Sequence, residues 1–301
     1  MSDGDAWHAL RRFTAARIGL GRSGDSLPTA AVLEFSLAHA RARDAVHAPF
    51  PSAQLADSLA DTGLARLQVA SAAPDRATYL RRPDLGRQLA PTARTALADA
   101  FMQTARAGQG RPAASAAAQP GPVANDLVLV LADGLSAPAV LAHGPPLVRA
   151  LLGLLPGWRI GPLVIASQAR VALGDEVGAL LAAELVLVLI GERPGLSSPD
   201  SLGAYLTWQP RAGRSDAERN CVSNIRPEGQ PVEAAAARIA WLLAAARGRR
   251  LTGVQLMDES DSMLLAGQSV RAMDGAAVPA PADADASPRQ PSGRDDDTRA
   301  T

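Results

Sequence analysis

Residues 184–195 read ELVLVLIGERPG, and this stretch decides the fold. Leu185–Ile190 is an unbroken apolar run that ends at Gly191, a pattern typical of a strand buried on both faces in a parallel sheet. A polar turn containing Glu192 and Arg193 follows at once. Ligands of open α/β sheets collect beyond the carboxyl ends of the strands, so this turn is a candidate binding segment.

Strand and helix patterns alternate on both sides of this run. Such alternation implies right-handed crossovers, so it predicts a Rossmann-like, three-layer α/β domain with a mainly parallel sheet over residues 125–257. The predicted strands are 127–131, 161–166, 185–190, 204–208 and 251–256, and the predicted helices are 137–155, 173–183 and 231–247.

The remaining chain divides into three parts. Residues 1–107 are predicted to form a mainly helical region that docks onto another chain, with helices at 26–47, 51–61 and 91–107 and a short strand at 64–69. Residues 108–124 mix Gly, Pro, Ala and Ser, which predicts a flexible insertion. Residues 258–301 lose periodicity and are rich in polar residues and proline, which predicts a disordered tail.

Composition excludes several classes of protein. The 30 basic residues are all arginine, so the chain has no lysine for a pyridoxal phosphate Schiff base or a Walker motif. These arginines are dispersed among 30 acidic residues, which predicts no nucleic-acid partner. A lone cysteine, Cys221, excludes an internal disulfide and any CxxC motif.

A glycine-rich segment gives an alternative function. Gly19–Gly24 reads GLGRSG and matches GxGxxG, with Asp44 about 20 residues later, as in the dinucleotide fingerprint of an NAD-type dehydrogenase. That fingerprint requires a buried strand before Gly19, which Leu10–Ile18 does not resemble, and Pro28 delays the helix. A glycine-rich arm that grips a partner subunit fits the segment better.

Histidines and hydrolase motifs give no catalytic or metal site. His143 lies in LAHGPP, which lacks the DxHxxG motif of cobalamin proteins because Leu141 stands where Asp is required. His8, His39 and His47 have no ligand spacing, so all four histidines are predicted to be structural or exposed. GxSxG and HExxH motifs are also absent from the sequence.

Three residues are candidates for one site. The segments ending near Val171, Glu192 and Cys221 are predicted to converge on one rim of the sheet. Residue chemistry leaves Glu192 evenly divided between ligand binding and pairing with Arg193 or Arg219, and it favours plain packing for Cys221. A second alternative is a non-catalytic α/β interaction protein, which would rest on the absence of lysine and on the clustered histidines.

Long ordered strings within residues 10–257 resemble the small (light) chain of ethanolamine ammonia-lyase. They include RIGLGRSG, TYLRRPDLGR, ADGLSAPAV, ARVALGDEVGALLAAELVLVLIGERPG, GERPGLSSPDSLGAY and DAERNCVSNIRPEG. The resemblance implies an adenosylcobalamin-dependent lyase that converts ethanolamine to acetaldehyde and ammonia. It also implies corrin contacts from Val171, Glu192 and Cys221, with the cofactor's own base on cobalt and no protein ligand to the metal.

The resemblance further implies a hetero-oligomer. The catalytic residues and substrate pocket would lie in a separate large chain, a TIM barrel, and none would lie in this chain. The sequence shows no signal peptide and no apolar run of roughly 20 residues, so we expect a cytoplasmic protein away from membranes. The family includes members packed into bacterial microcompartments through an N-terminal extension. The matched strings begin near residue 10, which favours free cytosol and leaves a microcompartment open.

Overall fold

The computed structural model describes residues 7, 9–14, 16–108 and 125–260. Residues 109–124 of the predicted insertion, residues 261–301 of the predicted tail and His8 lie outside the described residues. Predictions about them stay predictions.

Six strands form one sheet in the order β1-β3-β2-β4-β5-β6. The first four are mutually parallel, whereas β5 and β6 are added antiparallel beside β4. The strands are β1 (Arg66–Ala70), β2 (Asn125–Ala132), β3 (Leu163–Ser167), β4 (Ala183–Gly191), β5 (Leu202–Trp208) and β6 (Arg219–Ile225).

Helices cover both faces of this sheet. They are α1 (Thr29–His47), α2 (Ser52–Ser58), α3 (Arg76–Arg81), α4 (Pro91–Gly108), α5 (Ala137–Leu154), α6 (Leu173–Leu180) and α7 (Val232–Arg249). Helices α2, α5 and α7 pack in one apolar cluster with one face, and α4 and α6 pack in a second cluster with the other.

The central strands follow directly from their sequence. Leu127–Ala132 of β2 and Leu185–Gly191 of β4 are buried at every position. Alternate residues enter opposite clusters: Leu187 packs with α5 and α7, and Val188 packs with α4 and α6. A strand between two helical layers must be apolar throughout, and this requirement produces the continuous run seen in the sequence.

The α/β class, the mainly parallel sheet and the preceding helical region are confirmed. One predicted strand is wrong: residues 251–256 form turns, with Gly253 at φ 89°. The sheet ends instead on β6, which the sequence did not predict, and α3 was also missed. Strand β1 comes from the predicted N-terminal region and pairs with β3, so the sheet extends across the boundary predicted at residue 125.

The N-terminal segment carries apolar side chains that the described residues leave exposed. Helix α1 buries only Ala38 and Ala45. Eight large apolar residues of this segment are exposed, namely Trp7, Leu10, Phe13, Leu27, Val32, Leu33, Phe35 and Leu37. We call these eight side chains the N-terminal apolar surface.

The GLGRSG segment lacks the context of a dinucleotide fingerprint. Its described predecessors, residues 9–14 and 16–18, form a helical turn, turns and coil and no strand. Gly19, Gly21 and Gly24 all have positive φ, and a side chain at Gly19 would collide with Trp7. The glycines therefore shape a folded arm beside Trp7. Of the helices described, none has the length and apolar character needed to cross a membrane.

Candidate functional site

A cavity of about 430 Å³ opens at the carboxyl ends of the parallel strands. The neighbouring strands β2 and β4 are followed in the chain by β3 and β5, which lie toward opposite edges of the sheet. This reversal of direction creates a crevice between β2 and β4. The cavity is lined by Tyr79, Gly134, Leu135, Arg170, Val171, Ile190, Gly191, Glu192, Arg193 and Tyr205.

Two glycines let the backbones of this rim approach closely. A Cβ on Gly134 would stand 2.2 Å from the carbonyl oxygen of Gly191, and Gly134 also has φ 53°. A Cβ on Gly191 would stand 2.0 Å from the carbonyl oxygen of Ser136. Only glycine fits such approaches, so the course of the backbone beside the cavity depends on Gly134, which follows β2, and on Gly191, which ends β4.

The Glu192 carboxylate is held on one oxygen. Its Oε2 accepts a hydrogen bond from the Ser201 hydroxyl at 2.5 Å and another from the Asn224 backbone N–H at 3.2 Å. A Cβ on Gly203 would lie 2.9 Å from Oε1, so that glycine leaves room for the carboxylate. The second oxygen, Oε1, accepts no hydrogen bond from the described residues and is available to a ligand.

Asn224 reaches Glu192 because β6 contains a bulge. Leu202 and Ala204 of β5 pair with Ile225 and Val222 of β6, so three steps on β6 match two on β5. Asn224 takes φ 56° at this irregularity. Bulges redirect backbone groups next to functional sites, and here the bulge directs an N–H toward the carboxylate.

Cys221 lies on β6 beside Tyr205 and does not line the cavity itself. The two residues are cross-strand partners, so their side chains share one face of the sheet. Although Cys221 is exposed as a residue, partial desolvation raises the pKa of its thiol, against a hydrogen bond with Tyr205 that lowers it. Burial also raises the pKa of the Tyr205 hydroxyl, with a further contribution from Cys221. Both groups are therefore neutral at pH 7 and present weak polar contacts next to the cavity.

Helix α3 places the aromatic ring of Tyr79, which lines the cavity, close to two guanidinium groups. The Cζ of Arg76 lies 4.8 Å from the Tyr79 ring centroid, and the Cζ of Arg170 lies 4.7 Å from it. Tyr79 donates its hydroxyl to the Ala169 carbonyl oxygen at 3.1 Å, and burial raises its pKa to about 12. Arg76 pairs with the buried carboxylate of Asp133 at 3.0 Å.

A buried ion pair joins strand β6 to helix α6. The Arg219 guanidinium donates to both carboxylate oxygens of Asp175 at 2.7 Å, and the two side chains are each 2% exposed. Thr207, the Arg214 carbonyl oxygen and Asp216 accept the other hydrogen bonds from Arg219. Every guanidinium nitrogen is engaged, so this pair leaves nothing free for a ligand.

The structure brings the three sequence-derived candidates to one region. Val171 and Glu192 line the cavity, and Cys221 is linked to it through Tyr205. Glu192 does not pair with Arg193 or Arg219, its two proposed ion-pair partners. Sequence reasoning missed Tyr79, Arg170 and Ser201. Tyr79 and Arg170 lie in the strings TYLRRPDLGR and ARVALGDEVG, and this placement was the only available signal for them.

The described histidines lie away from the cavity lining. His39 and His47 are on α1, and His143 is buried on α5, where its Nε2 stands 3.7 Å from Asp200 Oδ2. Among the described residues, no three His, Cys, Asp or Glu side chains come together in a way that could hold a metal ion.

Comparison with known proteins gives consistent matches over most of the chain. Residues 4–257 match the family model described as ethanolamine ammonia-lyase light chain (EutC). A protein of Azotobacter vinelandii named ethanolamine ammonia-lyase small subunit is 52% identical over 263 residues, which cover 87% of this chain and 91% of the relative. Proteins with the same name are 54% identical in Rhodopseudomonas palustris, covering 87% and 93%, and 48% identical in Pseudomonas aeruginosa strain UCBPP-PA14, covering 88% and 92%.

Proposed function

Since this chain belongs to the ethanolamine ammonia-lyase light chain family, we propose that it holds adenosylcobalamin against a catalytic large subunit. The complete assembly would convert ethanolamine to acetaldehyde and ammonia. The observation that carries the proposal is the cavity at the carboxyl rim of the sheet, which Val171, Glu192 and Tyr205 line, with Cys221 paired to Tyr205 across the strands.

The chemistry of this rim fits a corrin. A corrin ring presents apolar methyl groups and amide side chains at its edge. Val171 offers an apolar contact, and the free Oε1 of Glu192 offers an acceptor for an amide N–H. The neutral Cys221 and Tyr205 add polarisable and weakly polar surface. Because the carboxylate is already oriented by Ser201 and Asn224, little ordering is lost when it accepts a ligand hydrogen bond.

The size of the cavity supports a shared site. A volume of about 430 Å³ suits a small ligand, whereas a whole corrinoid is larger and would be covered only at one edge. A second protein surface must then enclose the remainder. Bound adenosylcobalamin would supply a carbon radical by homolysis of its cobalt–carbon bond. This chain would position the corrin edge and keep water from it, and we assign no acid, base or nucleophile to its residues.

The N-terminal apolar surface is the part of this chain that we propose contacts the large subunit. Phe13 is 77% exposed and Leu33 is 64% exposed. Eight large exposed apolar side chains within one short segment are typical of a protein contact surface, because their hydration is unfavourable. The folded arm around Gly19 extends the same region and would dock with it.

Reconstitution tests the function. The chain mixed with a matching large subunit and adenosylcobalamin should deaminate ethanolamine, and the assembled protein should carry cobalamin absorbance. The isolated chain should not turn over ethanolamine, and turnover by it would contradict the proposal.

Substitutions at the rim test the site. Glu192→Ala and Val171→Asp should each weaken cobalamin binding by roughly tenfold to a hundredfold, because a hydrogen bond to a charged group contributes about 1.5–3 kcal/mol and a buried charge costs at least as much. The turnover rate at saturating cofactor should change less. Glu233→Ala and Val254→Asp are matched controls at exposed positions, and neither should alter binding. Unchanged affinity in both rim variants would remove this rim from the cofactor site.

A further inference from the structure

Two arginines of the cavity have no carboxylate partner. Arg170 and Arg193 both line it, and neither forms an ion pair with any described residue. The Nε of Arg170 is buried and has no hydrogen-bond partner among the described residues. A buried donor without a partner is costly, so a ligand in the cavity that placed an acceptor beside this nitrogen would gain binding energy.

Arg170 is already fixed in position. Its backbone N–H donates to the Gly86 carbonyl oxygen at 2.8 Å, and its Nη2 donates to the Tyr79 carbonyl oxygen at 3.3 Å. Its guanidinium stacks on the Tyr79 ring. A Cβ on Gly86 would stand 3.1 Å from the Arg170 Cγ and 2.9 Å from the Tyr79 ring, so the glycine makes room for this stack. Binding therefore requires little further loss of side-chain entropy.

The charge of Arg170 is not neutralised nearby. Arg76, the other guanidinium at the Tyr79 ring, is matched by Asp133. Glu192 is the single carboxylate in the cavity lining, and one of its oxygens is taken by Ser201 and Asn224. With Arg170 and Arg193 against Glu192, the lining has a net charge of +1. An uncompensated, partly desolvated guanidinium favours an anion, above all one with several acceptor oxygens.

We propose that Arg170, assisted by Arg193, binds the phosphodiester of the nucleotide loop of cobalamin. This inference rests on the proposed function. The edge of the corrin carries neutral amides, and the phosphodiester is the anionic group of the cofactor's organic framework. Glu192 and Arg170 then recognise different parts of one ligand: the carboxylate accepts from a corrin amide, and the guanidinium donates to the phosphate oxygens.

Two corrinoids distinguish the phosphodiester contact of Arg170 from the amide contact of Glu192. Cyanocobalamin carries the nucleotide loop, whereas cyanocobinamide has the same corrin without it. Both would be titrated against the complex of this chain with its large subunit, and binding would be followed by corrin absorbance after equilibrium dialysis. Arg170→Met keeps an unbranched apolar stem and removes the guanidinium and its charge. It should weaken cyanocobalamin binding about tenfold to a hundredfold, and cyanocobinamide binding less than about threefold.

Control variants define the specificity of the effect. Arg193→Met should weaken cyanocobalamin binding less than Arg170→Met does, because Arg193 is exposed. Arg211→Met removes an exposed arginine outside the cavity lining and should change neither affinity. In the wild-type complex, added NaCl should weaken cyanocobalamin binding more than cyanocobinamide binding, because salt screens a charged contact. This measurement requires no variant to fold.

The outcomes distinguish the two proposals. Failure of the wild-type complex to bind either corrinoid would overturn the proposed function. Normal binding of both ligands with equal weakening by Arg170→Met, or with no weakening, would overturn the phosphodiester contact and leave the cobalamin site in place. An equal salt response of the two ligands would also count against the contact.

Discussion

Two arginines beside helix α6 have opposite environments. Arg219 bonds with Asp175 in the first turn of α6, and all its nitrogens are engaged. Arg170 lies three residues before α6 begins, packs on Tyr79 and keeps a buried Nε without a partner among the described residues. A satisfied buried charge stabilises one packing arrangement, whereas an unsatisfied charge at a cavity is free to bind. The comparison therefore contrasts a charge that is used up in packing with one that we propose binds a ligand.

The largest expected effect is the loss of stability when Arg219 is removed from its ion pair with Asp175. Arg219→Met should lower the free energy of unfolding by about 3–5 kcal/mol, because it leaves Asp175 buried without its counter-charge. Urea denaturation of the purified chain would measure the loss. Arg170→Met should lower the free energy of unfolding by only about 1 kcal/mol, since it removes one long hydrogen bond and a stacking contact with Tyr79 but breaks no ion pair.

The double variant Arg219→Met with Asp175→Leu is the matched control. It removes both charges and should recover most of the lost stability. If Arg170→Met destabilised the chain as much as Arg219→Met, the distinction between the ion-paired Arg219 and the unpaired Arg170 would fail.

The next effect concerns the backbone at Gly134, which lines the same cavity as Arg170. Gly134→Ala should reduce the free energy of unfolding by about 1–3 kcal/mol more than Gly157→Ala does. Both glycines have positive φ, but a Cβ on Gly157 meets nothing within 4 Å, whereas one on Gly134 meets a backbone oxygen of Gly191. Gly157→Ala therefore reports only the conformational cost, about 1–2 kcal/mol. Equal losses of unfolding free energy in the two variants would show that the backbone around Gly134 shifts at little cost to accommodate a Cβ.

A smaller effect tests whether Glu192 binds a ligand, as we propose for Arg170, or serves packing, as Arg219 does. Ser201→Ala removes the hydroxyl that donates to Oε2 and leaves Oε1 unchanged. We expect cobalamin affinity to fall about threefold to tenfold, because one hydrogen bond of about 1 kcal/mol no longer orients the carboxylate. Dialysis against the assembled complex would measure the change. Ser223→Ala, at an exposed position on β6, should have no effect.

If Ser201→Ala instead lowered the stability of the chain and left cobalamin affinity unchanged, Glu192 would be part of a structural network like that of Arg219.

The smallest effect is a pH dependence at the exposed end of the Arg219 network. Hydrogen bonds from the Ser215 backbone and from Arg214 lower the pKa of Glu218 to about 2, against an ordinary value of 4.5. A lowered pKa means that Glu218 stabilises the fold above pH 4.5 and loses this contribution as pH falls toward 2. Glu218→Gln should therefore have a lower Tm than the wild type at pH 7, and the difference should shrink below pH 4.5. A constant difference across this range would contradict the assignment.

Local patterns predicted the central elements well. The buried strands β2 and β4 and helix α5 appear within two residues of their predicted bounds. The short edge strand β6 was missed because its bulge separates the buried Val222 and Ile225 by three residues, which breaks the alternation expected of a strand. The wrong strand at 251–256 contains apolar Leu251 and Leu256, but Gly253 turns the chain there.

The candidate site was predicted only in part. Val171 and Glu192 follow strands, and the carboxyl ends of parallel strands meet at one rim, so the sequence placed both residues there. Tyr79 comes from α3, and Arg170 reaches its carbonyl oxygen across 91 positions of the chain. No local periodicity describes such a contact.

By itself, the sequence determined the α/β class, the buried central strands, the positions of Val171 and Glu192 after those strands, and the family. These features depend on near neighbours and on ordered strings, which a linear reading contains. Only the tertiary structure decided that Arg219 is paired and that Arg170 is not, because the pairing of Arg219 with Asp175 joins positions 44 apart. A charge is satisfied or free according to what folding brings within hydrogen-bonding distance, and this distance is a property of packing.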